Sequence, residues 1–227
     1  MAVVLDADPS WSAAPVGAAI GVIALAGAVN PAGDPAIAAR ADRLEVDLRD
    51  RYGALDRADM LASAPYAAYA AWYRPFGQRY HVALQVESVA KKGKAIPRAA
   101  ALVEAMFLAE LDHGILTAGH DLAAVDWPLR GGVGSGGENY RTPAGAETVV
   151  KAGDLFTADA GGVLSAIVTG PSDRARIGPA TTGALYVAYA PPGVAVATLD
   201  AHLDAIADIV RAVSPEATIG GRSVLTA

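Results

Sequence analysis

Four side chains able to handle protons or metals, Asp112, His113, His120 and Asp121, stand close together in the sequence. Gly114 and Gly119 fall between the histidines, so a single helix face is not expected. The helical His-x-x-x-His and His-Glu patterns of zinc enzymes are missing. Turn-forming aspartates and hydrogen-bonded histidines account for these types, and no metal is expected. Serine catalysis has little support. Ser135 lacks the G-x-S-x-G elbow, because Val133 stands two residues before it, and Ser165, Ser172 and Ser214 have no partner readable in the sequence. The run Gly131-Gly-Val-Gly-Ser-Gly-Gly137 contains a literal G-x-G-x-x-G starting at Gly132. In a dinucleotide fold a helix should follow, but Glu138-Asn-Tyr-Arg-Thr-Pro143 is no helix start, and no Gly-Lys-Ser/Thr marks a P-loop. The run reads as a flexible loop beside a site or surface.

Basic residues gather once. Arg74, Arg79, Lys91, Lys92, Lys94 and Arg98 are opposed within their segment only by Glu87. Such a segment is a solvated loop and helix end, or a local contact for a phosphate backbone. The whole chain of 227 residues carries a formal net charge of −6, which excludes polyanion binding by bulk electrostatics. With no cysteine, disulfides, thiolate metal sites and a cysteine nucleophile are excluded.

The elements that must position these residues follow from patterning. Hydrophobic types make up 53% of the chain, aromatics 6% and charged residues 19%, and the mean hydropathy is +0.30. The apolar run Val16–Val29 is shorter than the roughly 20 residues of a membrane span. It also lacks the basic flank of a signal peptide. It is expected to be a buried strand, and a cytoplasmic protein without a membrane partner is expected. Asp34-Pro35 predicts a helix start, with the helix running to Tyr52 and ended by Gly53. Further helices are expected over Met60–Tyr73, over His81–Ala90, and from Pro97 through Leu111. From Thr117 to Ala190 turns become frequent. Short strands are expected at Val149, Leu155-Phe156, Val163-Leu164, Ile167-Val168 and Leu185–Tyr189. Leu199, Leu203, Ile206, Ile209, Val210 and Val213 define a last amphipathic helix, stopped at Ser214-Pro215. The fold class expected is α+β in one domain over 1–227: helices, then a mainly antiparallel sheet, then a C-terminal helix.

The order of motifs over 66–193 resembles the B3/B4 domain of the bacterial phenylalanyl-tRNA synthetase beta chain in free-standing form. Tyr73-Arg-Pro-Phe-Gly77 is similar to its aromatic-basic entry segment. Lys92-Gly-Lys-Ala-Ile-Pro97 followed by Leu102-Val-Glu-Ala resembles its basic turn, proline and Val-acidic helix. Gly119-His-Asp121 and Pro128-Leu-Arg130 come next, then Gly137-Glu138, Gly145-Ala-Glu147 and Gly153-Asp-Leu-Phe-Thr-Ala-Asp159. Glu147 precedes Asp159 by the spacing of the family's Gly-x-Glu and Ala-Asp pieces. Thr181-Thr-Gly183 before Leu185-Tyr-Val completes the order. The chain departs from the pattern at Met106-Phe107, where the family often has an asparagine.

The resemblance implies an editing-type fold, which in the synthetase hydrolyses tyrosine wrongly esterified to the tRNA for phenylalanine. An aminoacyl ester is already activated, so a positioned water suffices and the catalytic residue stays unassigned. A glutamate in the pocket would read a substrate hydroxyl, and the resemblance places it at Glu147, with Ser165 at the small pocket wall. Glu138 and His120 join these as substrate-binding residues. Lys91, Lys92, Lys94, Arg98 and Arg130 are the RNA-binding residues implied, and tRNA or aminoacyl-tRNA is the partner, without a cofactor. Two other readings stay open: a non-catalytic module binding RNA or an amino-acid-like metabolite, and a small-molecule hydrolase reusing the pocket.

Overall fold

The apolar run near the N-terminus becomes the centre of a sheet. In the computed structural model, which describes residues 3–227, the chain forms β1 (Leu5–Ala7), β2 (Ala19–Ala26), α1 (Pro35–Tyr52), α2 (Arg57–Ala62), α3 (Tyr66–Tyr73), α4 (His81–Ala90) and α5 (Ala101–His113). It continues through β3 (Thr117–Asp121), β4 (Leu129–Val133), β5 (Asn139–Arg141), β6 (Glu147–Val149), β7 (Leu155–Asp159), β8 (Gly162–Ala166) and β9 (Gly170–Pro171). It ends with β10 (Gly183–Ala190), α6 (Val196–Val213) and β11 (Thr218–Thr226). The fold is α+β, with helices followed by antiparallel sheets and a C-terminal helix.

Three layers result. β11, β2, β10 and β3 form one antiparallel sheet, with β2 and β10 inside it and almost every residue of both buried. Alternate side chains of β10 point to opposite faces. Tyr186 Oη donates to Leu102 O of α5 at 2.8 Å, so that face meets the helices. Gly21 of β2 lies on the same face, where a Cβ would stand 3.1 Å from Leu199 of α6. Tyr189 points the other way, into a second sheet of order β1-β4-β7-β8-β9. One apolar cluster, from Val3 to Ala217, fills the space between the layers.

Several sequence expectations need correction. The helix expected over Met60–Tyr73 is two helices, α2 and α3. Pro65 has no amide hydrogen and disfavours the α region for Ala64, so the helix cannot run through. Pro97 does not open α5. Residues 97–99 have no regular structure, Ala100 is extended and bridged to Ala32, and the helix starts at Ala101. Ile167-Val168 form a turn rather than a strand.

The glycine run is half strand. Gly131 to Val133 lie in β4, paired with β7. Glycine is what lets the two sheets approach there: a Cβ on Gly131 would sit 2.8 Å from Leu225 Cδ2 and 3.1 Å from Ile20 Cδ1, both of the other sheet. The helix α6 is not the last element. β11 follows it and returns along β2, with a register shift between Ile219 and Gly221.

Candidate functional site

A cavity of about 310 Å³ opens between α5, β3 and the link from β8 to β9. Its wall includes Glu110, Met106, Thr117, Tyr189 and His81, and small residues such as Gly119 and Ala166 leave the space. Glu110 is the chemically distinctive group. α5 is buried on all sides near its end, and this carboxyl is only 6% exposed. Gly114, with φ +65°, closes the helix and turns the chain back. That turn brings the amide of Thr117 onto Glu110 Oε1 at 2.6 Å. The second carboxyl oxygen has no hydrogen bond among the described residues. Burial pushes the Glu110 carboxyl up to about 8, against the smaller opposing effect of the Thr117 amide. It is therefore mostly a neutral acid at pH 7, a hydrogen-bond donor inside a cavity.

A buried line of polar groups supports it. Thr117 Oγ1 lies 2.6 Å from His202 Nε2, and His202 Nδ1 lies 3.3 Å from His113 Nδ1. Burial, with the neighbouring His113, holds His202 down to about 3, so this line is neutral at pH 7. His81 starts α4 and stands at the cavity mouth. The residue stays open to solvent, but partial enclosure beside Tyr73 and Tyr80 lowers its pKa below the usual value, which favours a neutral ring able to accept a proton.

Tyr189 joins the cavity to a second network between the sheets. Its hydroxyl donates to Ser165 O at 2.8 Å and lies 2.8 Å from Ser165 Oγ and 2.9 Å from Thr157 Oγ1. His120 Nε2 is 3.2 Å from Ser165 Oγ. Burial, then the Arg174 charge, lowers His120 to about 4. Ser165 and His120 are thus brought together, as two of the residues expected to bind substrate. Both have 0% exposure, so they reach the cavity only through Tyr189.

Glu147 and Glu138 lie elsewhere. Glu147 is exposed on the β5–β6 hairpin and is not part of the wall around Glu110. The expected pocket uniting Glu147 with Ser165 is corrected accordingly, because one side chain is solvated and the other sealed between sheets. Glu138 folds the glycine loop onto itself. Its carboxylate accepts from Ser135 N at 2.9 Å, Ser135 Oγ at 2.7 Å, and Gly136 N and Gly137 N at 3.2 Å. The loop amides that would cradle a phosphate already hold an internal anion. Slight burial opposes ionisation of Glu138, but the Ser135 and Gly136 hydrogen bonds outweigh it and its pKa falls.

The basic residues divide. Arg98 pairs with Asp42 at 2.6 Å, and Lys91 Nζ donates to Leu55 O. Lys92 and Lys94 are exposed and form no ion pair among the described residues. Lys94 lines a separate groove that shares His81 with the Glu110 cavity, and no residue of the basic segment lines that cavity itself. Arg130 sits on β4, with Nη2 donating to Asp159 O at 3.4 Å and Nε 3.9 Å from Asp8. Asp112, His113, His120 and Asp121 do not converge. Asp112 pairs with Arg51 at 2.6 Å, and Asp121 accepts from Thr181 Oγ1 at 2.6 Å. No group of three His, Asp or Glu side chains suited to a metal occurs among the described residues. No helix among them is long and apolar enough to cross a membrane.

Glu110, His81 and Tyr189 were not singled out by sequence. Glu110 sits in Leu108-Ala-Glu-Leu111, where a carboxylate inside an otherwise apolar helix stretch was the available signal. Nothing in the sequence marks His81.

No family model matches the chain, and no curated protein matches it. Among solved structures it is similar to an N-terminal fragment of the phenylalanyl-tRNA synthetase beta-subunit from Pyrococcus horikoshii, with a TM-score of 0.44 and 12% identity. That likeness covers 54% of this chain and 41% of the other, so the chain spans less than half of that fragment.

Proposed function

We propose that the Glu110 cavity takes an amino-acid-sized group and that the ligand is an aminoacyl ester carried on RNA, which the protein cleaves with water. The observation that carries the reading is Glu110 itself: a buried carboxyl, fixed at one oxygen by the Thr117 amide and unpaired at the other, in the wall of an open cavity. Such a group reads a hydroxyl or carbonyl of the bound amino acid, and a ligand lacking that group leaves it unsatisfied. This is the recognition role that the sequence resemblance assigned to Glu147.

A carboxyl with its pKa near 8 already holds its proton for most of the time at pH 7, so proton abstraction falls to the neutral ring of His81. Water adds to the ester carbonyl while His81 takes one of its protons. The bond between the carbonyl carbon and the ribose oxygen then breaks, and the proton passes to that oxygen. The products are the free amino acid and deacylated RNA. Lys94, in the neighbouring groove that shares His81 with the cavity, would supply positive charge for the RNA.

The experiment is deacylation of a panel of misacylated tRNAs by the wild type, Glu110→Ala, His81→Ala and Glu147→Ala. The proposal expects turnover of at least one ester by the wild type and loss on changing Glu110 or His81. Absence of turnover above buffer with every ester contradicts it. A second reading is a binding site for a free amino-acid-like metabolite. It is favoured by the net charge of −6 and by the pairing of Arg98 and the Lys91 contact, which reduce the cationic surface left for RNA.

A further inference from the structure

A second cavity, of about 390 Å³, lies between α2, α3 and the first turn of α4. Arg57, Arg74 and Arg79 all line it, and no acidic side chain does. Gly77, with φ +66°, reverses the chain after the turn Arg74-Pro75-Phe76. Gln78 N then returns to Tyr73 O at 3.3 Å, which brings Arg79 to the same cavity as Arg74. Arg57 reaches one carboxylate, Glu87, at 2.6 Å. Arg74 and Arg79 form no ion pair or side-chain hydrogen bond among the described residues.

The cavity between α1, α5 and α6 shows the ordinary arrangement. There Arg40 and Arg43 share the lining with Asp47 and Asp112. Glu87 already neutralises Arg57, whereas Arg74 and Arg79 face the hollow without a carboxylate in its lining, so an incoming anion would meet two unpaired guanidinium groups. The rest of the lining combines the apolar side chains of Leu61, Ala70 and Ala83 with Gln78 and Tyr80. A rim of planar cations over an apolar floor suits a ligand with a phosphate at one end and a flat, weakly polar body at the other. Guanidinium binds phosphate bidentately and also stacks on bases. The volume lies within the range of small-ligand sites, roughly 300–1,000 Å³.

We infer that the cavity lined by Arg57, Arg74 and Arg79 binds a nucleotide, with its phosphate on Arg74 and Arg79 and its base or ribose on the Leu61, Ala70 and Ala83 floor. This site stands on its own geometry and does not depend on ester cleavage in the Glu110 cavity.

The test is calorimetric titration of the full chain with AMP, adenosine and inorganic phosphate at low salt, for the wild type, Arg74→Ala and Arg79→Ala. Both arginines are exposed, so the variants keep the fold, which circular dichroism checks. The expected result is AMP binding that weakens about tenfold in each variant. Adenosine and phosphate should each bind at least about tenfold more weakly than AMP. The inference is overturned if AMP does not bind, if neither variant weakens it, or if adenosine or phosphate alone binds as well as AMP. Arginine-dependent AMP binding by a protein that cleaves no ester leaves this site standing. Ester cleavage without AMP binding removes this site alone.

Discussion

The amide of Thr117 donates to Glu110 Oε1 at 2.6 Å across the turn that joins α5 to β3. That contact fixes a buried carboxyl in the wall of a cavity, and its other oxygen has no partner among the described residues. Burial of the same carboxyl, rather than this contact, makes it sensitive to pH.

Stability should fall as pH rises from about 6.5 to 8. Burial raises the Glu110 carboxyl from 4.5 to about 8. In that window the native state holds a proton that the unfolded state has released, so raising pH favours unfolding. His120 and His202, lowered to about 4 and about 3, act in the opposite direction, because the unfolded state binds their protons first. Their effect fades over about one pH unit above the ordinary histidine value of 6.5, so it offsets the Glu110 loss only at the low end of the window. Asp154, raised to about 6, loses stability in the same sense as Glu110 but at lower pH. Urea unfolding across pH 6.5–8 measures this. The wild type should lose on the order of 1–2 kcal/mol, and Glu110→Gln should show a flat profile.

Tyr189→Phe removes one hydroxyl shared by Ser165 and Thr157. Ser165 Oγ keeps Thr157 and His120 as partners, so the loss should be about 1–2 kcal/mol rather than the cost of a fully orphaned group. Denaturant melts of the variant check this.

Gly134→Ala should destabilise by about 2 kcal/mol or more. A Cβ there would stand 2.5 Å from Lys151 O, a backbone atom that cannot swing away. Gly134 N and O also hold Asp154 O and Gly153 N at 2.8 Å each. Gly136→Ala meets nothing closer than 3.7 Å, but its φ of +91° makes it a conformational test of a different kind. Comparing thermal midpoints of the two variants separates close packing from backbone strain.

His81→Ala should slow ester cleavage about a hundredfold with little change in stability. The side chain is exposed at the helix start and makes no hydrogen bond among the described residues. Single-turnover rates alongside thermal melts distinguish loss of a proton acceptor from loss of fold.

Elements carried by local patterning were legible. The alternation of α6 and the Asp34-Pro35 start of α1 are written in neighbouring residues, and Asp34 indeed accepts from Ala36 N and Ile37 N. β11 was missed because Gly220-Gly221 and Arg222 give a strand little hydrophobic signal. Its pairing is set by β2, nearly two hundred residues earlier. Ser165 and His120 meet for the same non-local reason, through sheets that stack only in the folded chain. Glu110 was passed over because a helix position says nothing about burial until its neighbours are placed. Glu147, assigned by the family resemblance, lies on a short exposed hairpin.

The most direct test of the account compares Glu110→Gln with Glu110→Ala in deacylation of the misacylated tRNA that the wild type cleaves best. A neutral donor at this position predicts that glutamine, whose amide also donates, retains most of the wild-type rate at pH 7, while alanine loses about tenfold or more. Equal rates for the wild type and Glu110→Ala would contradict the assignment of this carboxyl as the group that reads the ligand.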